Sequence, residues 1–131
     1  LMRTTTTVAQ MIMRLFGLIL LALDIPFWSG HALQLVNTHM LIGVLFVLAL
    51  WTLAGIAAAA HQSGGFVALG FVWGIVVLAL GMTQRTLMPG SGHWVIQVLH
   101  LLVGLAAMGI GENLAKRIKS SARFVGAPAS A

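Results

Sequence analysis

Of the 131 residues in this chain, 60% are hydrophobic and only 7% are charged, and its mean hydropathy is +1.03. Soluble domains carry roughly a quarter of their residues charged, so the composition argues against a water-soluble fold and for a membrane domain. The formal net charge of +5 is not a nucleic-acid signature. Its basic residues are sorted by position: Arg3, Arg14, Lys116, Arg117, Lys119 and Arg123 flank the two chain ends, and Arg85 is the single base in the connections after the first and third apolar runs. The chain has no Cys, which removes disulfides, thiolate metal sites and iron–sulfur clusters.

Four apolar runs are expected to be transmembrane helices, over 8–28, 33–60, 66–84 and 94–115. Each is near the ~20 residues a helix needs to cross the hydrocarbon. They leave short connections and a basic tail, 116–131, so the whole of 1–131 is expected to be one all-α transmembrane domain. The runs are rich in Leu, Val, Ala and Gly and lack the two-residue alternation of outer-membrane strands. The first run follows the polar leader Arg3 to Thr7. It shows no small-residue cleavage pattern before Asp24, so it is expected to be a span rather than a signal peptide. The positive-inside rule places both ends in the cytoplasm, as an even number of crossings requires. The expectation is a four-helix up-down bundle integral to a membrane, in a bacterium the inner membrane.

Within the first run, Gln10, Arg14, Gly17, Leu21 and Asp24 recur at helical spacing and share one face, expected to look inward. Arg14 and Asp24 are ten residues apart, about 15 Å along a helix axis and too far to pair. Arg85, near the same end of the other helical hairpin, is the expected partner of Asp24, and a proton-relaying Asp24 is the alternative. In the third run Gly70, Gly74 and Gly81 offer close approach, with Gly70 and Gly74 in the small-xxx-small spacing of helix contacts. Near the end of the fourth, Glu112 stands one turn before Lys116, a spacing expected to pair them locally. His61, after the alanine run that ends the second, is expected to cap that helix. The tail Lys116 to Arg123 suits anionic headgroups, and Trp28, Trp51, Trp73 and Trp94 are assigned interfacial and packing roles.

The chain also repeats itself. Pro26-Phe-Trp-Ser-Gly-His31, followed by Gln34, Val36, His39 and Gly43, recurs as Pro89-Gly-Ser-Gly-His93, followed by Gln97, Val98, His100 and Gly104. The bundle is therefore expected to consist of two copies of one helical hairpin, with a Ser-Gly-His turn opening the second helix of each. His39 comes nine residues after Gly30 and His100 eight after Gly92, so both imidazoles are expected about two turns into diagonal partner helices, level with each other. Polar groups at such depth are functional candidates, since hydrocarbon offers them no water. Neutral imidazole suits haem iron, zinc or copper. Gly43 and Gly104, each one turn beyond its His, leave room on the same face for a flat macrocycle.

In its span count, its length and the pairs His39-x-x-x-Gly43 and His100-x-x-x-Gly104, the chain resembles the small four-helix membrane cytochromes of the b type. That resemblance implies one haem b between the second and fourth spans, near the outer face, ligated by His39 and His100, with Arg85 available to a propionate. It also implies electron transfer with a quinone or an extracytoplasmic partner. The chain departs from the two-haem members, whose inner half carries a matching pair, because only His61 lies near that face. His31 and His93 are expected at the outer interface as solvated residues, as a second metal site or propionate donors, or as the true axial pair. The alternative reading is a non-redox accessory subunit of a larger respiratory or photosynthetic complex, its histidines structural or bound to a chlorophyll-type pigment. Other membrane subunits or a second copy of the chain are expected neighbours. No carboxylate pair, Ser/His/Asp set, phosphate loop or His-Glu-x-x-His motif signals a self-contained enzyme.

Overall fold

The computed structural model describes residues 1–126, with side chains described as far as Ser121. The expected tail beyond 126 and the side chain of Arg123 lie outside the described residues. The described residues form helices α1 (Met2–Trp28), α2 (Val36–Ala59), α3 (Gly64–Thr83) and α4 (His93–Gly126), with a 3-10 turn (Leu33–Leu35) leading into α2. No strand occurs among them. All four helices are long and apolar enough to cross a membrane. The helical runs differ from the expected spans mainly at the chain ends. α1 takes in the polar leader, whose Thr5, Thr6 and Thr7 hydroxyls each donate to the carbonyl four residues back. The basic run of the expected tail continues α4 without a break.

Each helix packs against its chain neighbour, α1 also packs against α4, and α2 touches α4 across the diagonal. The result is a four-helix bundle. In a membrane no hydrophobic effect drives helices together, so contact depends on small residues and interhelical hydrogen bonds. Gly70 opens α3 to Ala54 and Leu114, and a Cβ placed there would sit 3.2 Å and 3.1 Å from them. Gly74 lies directly under the indole of Trp51, whose Nε1–H donates to the carbonyl of Phe71, on the same helix as that glycine, at 3.1 Å. Trp73 does the same between α3 and α4, donating to the Val103 carbonyl at 2.9 Å. The expected Gly70/Gly74 contact is thus made, and two of the tryptophans act as interhelical donors.

Most of the core lies in one half of the bundle. Its fully buried large side chains are Thr6 and Met13 of α1, Val47, Leu50 and Leu53 of α2, and Leu114 and Ile118 of α4. In α2 every buried residue lies at Phe46 or beyond. At the end of that half, His61 adopts φ +55°. There the His61 N–H donates to Ala58 and the Gln62 N–H to Ala57, the Schellman pattern that ends a helix. His61 is the expected cap. An alanine at position 74 would meet the Trp51 ring, and overpacking of this kind costs about 1–3 kcal/mol. Gly74→Ala is therefore expected to lower the unfolding free energy in detergent by that amount, read as a lower unfolding midpoint. Gly109→Ala, where an added Cβ meets nothing within 4 Å, should leave the midpoint unchanged or raise it.

Candidate functional site

The other half of the bundle is hollow. A cavity of about 810 Å³ opens there between all four helices, within the roughly 300–1,000 Å³ range of ligand sites. His39 of α2 and His100 of α4 both line it, as do Gly43, Gly104, Arg85 and His93, with Gly17 and Met108 at its inner limit. His31 does not line it. The hollow exists because glycine occupies the wall positions beyond each histidine: a Cβ built on Gly43 or Gly104 meets nothing within 4 Å.

The two imidazoles come together as expected, their ring centroids 6.2 Å apart and their planes inclined at 49°. They get there by unequal routes. In the second half the Ser-Gly-His turn opens α4 directly, with His93 its first residue. In the first half Gly30 and Ala32 both take positive φ, at +77° and +55°, and the 3-10 turn intervenes before α2 starts at Val36. The expectation that His31 opens the second helix of its hairpin is therefore corrected. His31 is exposed in the connection, its Nδ1 3.0 Å from Ser29 Oγ, whereas His93 Nδ1 lies 3.2 Å from the Leu87 carbonyl. His31 and His93 thus have different surroundings, and only His93 reaches the cavity.

His39 and His100 are half-buried, each with part of its ring on the cavity, and on each ring Nδ1 is buried without a hydrogen-bond partner. An unpaired buried polar atom costs about 1–3 kcal/mol. Two of them, on the two rings that border one hollow, are the least expected feature of the described residues. The remaining nitrogen of His39, Nε2, stands 3.7 Å from Asp24 Oδ1. The Phe27 ring sits edge-on to His39 at 5.4 Å, and Gly81 of α3 lies beside His100 Cε1.

Two charge pairings differ from expectation. Asp24 and Arg85 both line the cavity but form no ion pair, and Asp24 faces His39 instead. Glu112 does not pair with Lys116. It reaches across to α1, accepting from Arg14 Nε at 2.6 Å, from the second Arg14 nitrogen at 2.8 Å and from Gln10 Nε2 at 2.7 Å. Lys119 Nζ in turn donates to Gln10 Oε1 at 2.7 Å. Of the expected α1 face, Gln10 is buried at the α1–α4 contact and Gly17, Leu21 and Asp24 line the cavity, whereas Arg14 is half exposed and reaches Glu112 from the edge of that contact. Sequence reading missed Phe27 and Met108 as cavity residues, for which no polar signal exists. Gln97, also on the wall, was legible as the residue three before His100 on the same helix face.

Among the described residues no three His, Asp or Glu side chains converge as a metal cluster. Two imidazoles alone are a poor site for a bare zinc or copper ion, which takes three or four protein ligands. They are sufficient for a metal whose other ligands come with it in a macrocycle. No family model, curated protein or solved structure matches the chain. The orphaned nitrogens make the site's cost measurable: His100→Leu, which removes one of them at similar volume, is expected to stabilise the ligand-free protein by about 1 kcal/mol. A thermal denaturation comparison in detergent checks this.

Proposed function

We propose that the chain is a membrane b-type cytochrome, holding one haem b in the cavity between α2 and α4 with His39 and His100 as axial ligands. The observation that carries this reading is the spacing of the two rings. With metal–nitrogen bonds of about 2 Å on each side and a nitrogen about 1 Å from its ring centre, one metal atom between two imidazoles sets their centroids roughly 6 Å apart. The measured separation is 6.2 Å. The open faces of Gly43 and Gly104 and the cavity volume fit the same group. A chlorophyll-type pigment is a poorer fit, because one imidazole usually suffices for its magnesium.

Haem b supplies reversible one-electron chemistry, and two imidazoles leave it no open position for oxygen. The chain's own residues hold it in a low-dielectric wall, and Arg85 and His93 provide positive or donor groups for its acidic edge. The role is electron transfer, with a quinone or an extracytoplasmic redox protein as the partner. The bundle crosses a bacterial inner membrane up and down with both ends in the cytoplasm, as the basic flanks indicate. The cavity then faces the outer side.

A reduced-minus-oxidised absorbance spectrum of the purified protein tests the reading. A b-type signal at one haem per chain is expected. It should be lost in His39→Ala and in His100→Ala, and much weakened in Gly43→Leu and Gly104→Leu, with helical content retained in all four. A folded, colourless protein that takes up no haem on titration would sink the proposal and leave a structural subunit as the reading. Loss of the signal in His31→Ala and His93→Ala, with His39→Ala unaffected, would keep the class and reject the ligand pair.

A further inference from the structure

The end of the bundle away from the cavity is strongly basic. Among the residues there whose side chains are described, Arg3, Arg14, Lys116, Arg117 and Lys119 face a single acid, Glu112, since Asp24 lines the cavity at the other end. Glu112 is already paired with Arg14. Lys116, Arg117 and Lys119 therefore make no ion pair among the described residues, yet two of the three are held in place. The Arg117 guanidinium lies 4.4 Å from the centre of the Phe66 ring, which itself packs against the core, and Lys119 Nζ donates to Gln10 Oε1 at 2.7 Å. Both holders are neutral, so these cations are positioned without being neutralised. At ~100° per residue, Lys119, Lys116 and Arg117 cover in that order about 160° of the α4 circumference, opposite the buried Leu114, Ala115 and Ile118. Lys119 is turned toward α1 and Arg117 toward α3, so the exposed Lys116 between them faces out of the bundle.

We propose that this outer arc of α4 binds an anionic phospholipid, with Lys116 meeting the phosphate and Arg117 and Lys119 flanking it. The depth suits a headgroup. Gln62 donates to Ser121 and so sets the α2–α3 connection level with that residue, which leaves Lys116 to Lys119 roughly 3–8 Å short of that level along the helix. Long basic side chains there lay their stems on apolar surface and carry their charge to the phosphates. The same face of α4 also continues deeper as an apolar track. Leu105 and Leu102 are exposed on it, and between them and the bases Gly109 is exposed with nothing within 4 Å of an added Cβ. An acyl chain lies along that track while its headgroup sits on the bases, and a free phosphate has no use for it. The counter-charge this end lacks is thus supplied by the membrane. The site is independent of the haem reading, because it shares no residue with the cavity.

The test is a lipid titration of the full chain in a nonionic detergent, read by its thermal unfolding midpoint. Phosphatidylglycerol is expected to raise the midpoint to a plateau at low mole fraction, whereas phosphatidylcholine leaves it in place. A ligand that binds only the folded state stabilises it in this saturable way. Each variant is compared with its own midpoint in phosphatidylcholine, which removes any change in intrinsic stability. Lys116→Gln and Arg117→Gln are each expected to raise the phosphatidylglycerol fraction needed for half the shift about fivefold, the usual weight of one basic group at a membrane surface. Arg117→Lys, which keeps the charge, should stay near the wild type. Equal shifts with both lipids overturn the proposal, and so does a shift that never saturates and vanishes in 0.5 M salt, the behaviour of diffuse attraction within about a Debye length. Inorganic phosphate reproducing the shift also rejects a lipid as the occupant. Wild-type half-points in both glutamine variants reject these residues as the site. The wild-type comparisons decide the matter even where a variant fails to fold.

Discussion

A helix in hydrocarbon satisfies its own backbone, but every polar side chain it carries inward must find a partner on the protein. In this bundle that constraint is met almost everywhere by short and specific contacts. Thr52, Thr83 and Asn113 fold back onto the carbonyls four residues before them. The indoles of Trp51 and Trp73 reach carbonyls of neighbouring helices. Arg14, Glu112, Gln10 and Lys119 form one chain of donors and acceptors between α1 and α4. Against that background the two buried, unpartnered Nδ1 atoms of His39 and His100 are exceptions. Exceptions to a strongly enforced rule are where function is expected to reside.

The same constraint divides the bundle into a packed half and a hollow half. In the packed half, three glycines on α3 and α4 are filled by their neighbours: Gly70 by Ala54 and Leu114, Gly74 by Trp51, and Gly111 by Met13. In the hollow half, Gly43 and Gly104 face open space. One residue type thus does two opposite things, and a partner's side chain decides which. Gly17 marks the boundary, since Met108 and Phe46 crowd it from the core side while it still lines the cavity. The Arg14–Glu112 pair lies about one turn beyond that boundary, three residues from Gly17 and four from Met108. It fastens α1 to α4 just where the hollow would otherwise let them separate.

What the sequence made legible follows the range over which each signal acts. The four helices were readable because hydropathy is a local sum over about twenty residues. The His39/His100 pair and its glycines were readable because the repeat marks equivalent positions, and the structure brings those rings together. The charge partners were not. Glu112 had Lys116 one turn away, yet it pairs with Arg14, 98 positions distant. Local spacing shows that a contact can form, and helix packing decides whether a better one competes. The Asp24–Arg85 pairing failed for a related reason. It assumed that the two hairpins are superposable, whereas a 3-10 turn precedes the start of α2 and α4 opens directly at His93. Asp24 faces His39 instead.

The broken symmetry also gives the cavity a direction. Asp24 and Arg85 stand in its wall without neutralising each other, so an acid borders the His39 side and a base joins His93 and Gln84 at another part of the lining. In a low-dielectric hollow, separated opposite charges impose a field on whatever enters. Under the proposed function, an anionic edge would be drawn toward Arg85 and repelled from Asp24, so that a haem with one acidic edge would be accepted in a single sense. A perfectly duplicated hairpin, with like groups at both positions, would lack that preference. The repeat supplies two neighbouring imidazoles, and the departures from it determine how their surroundings differ.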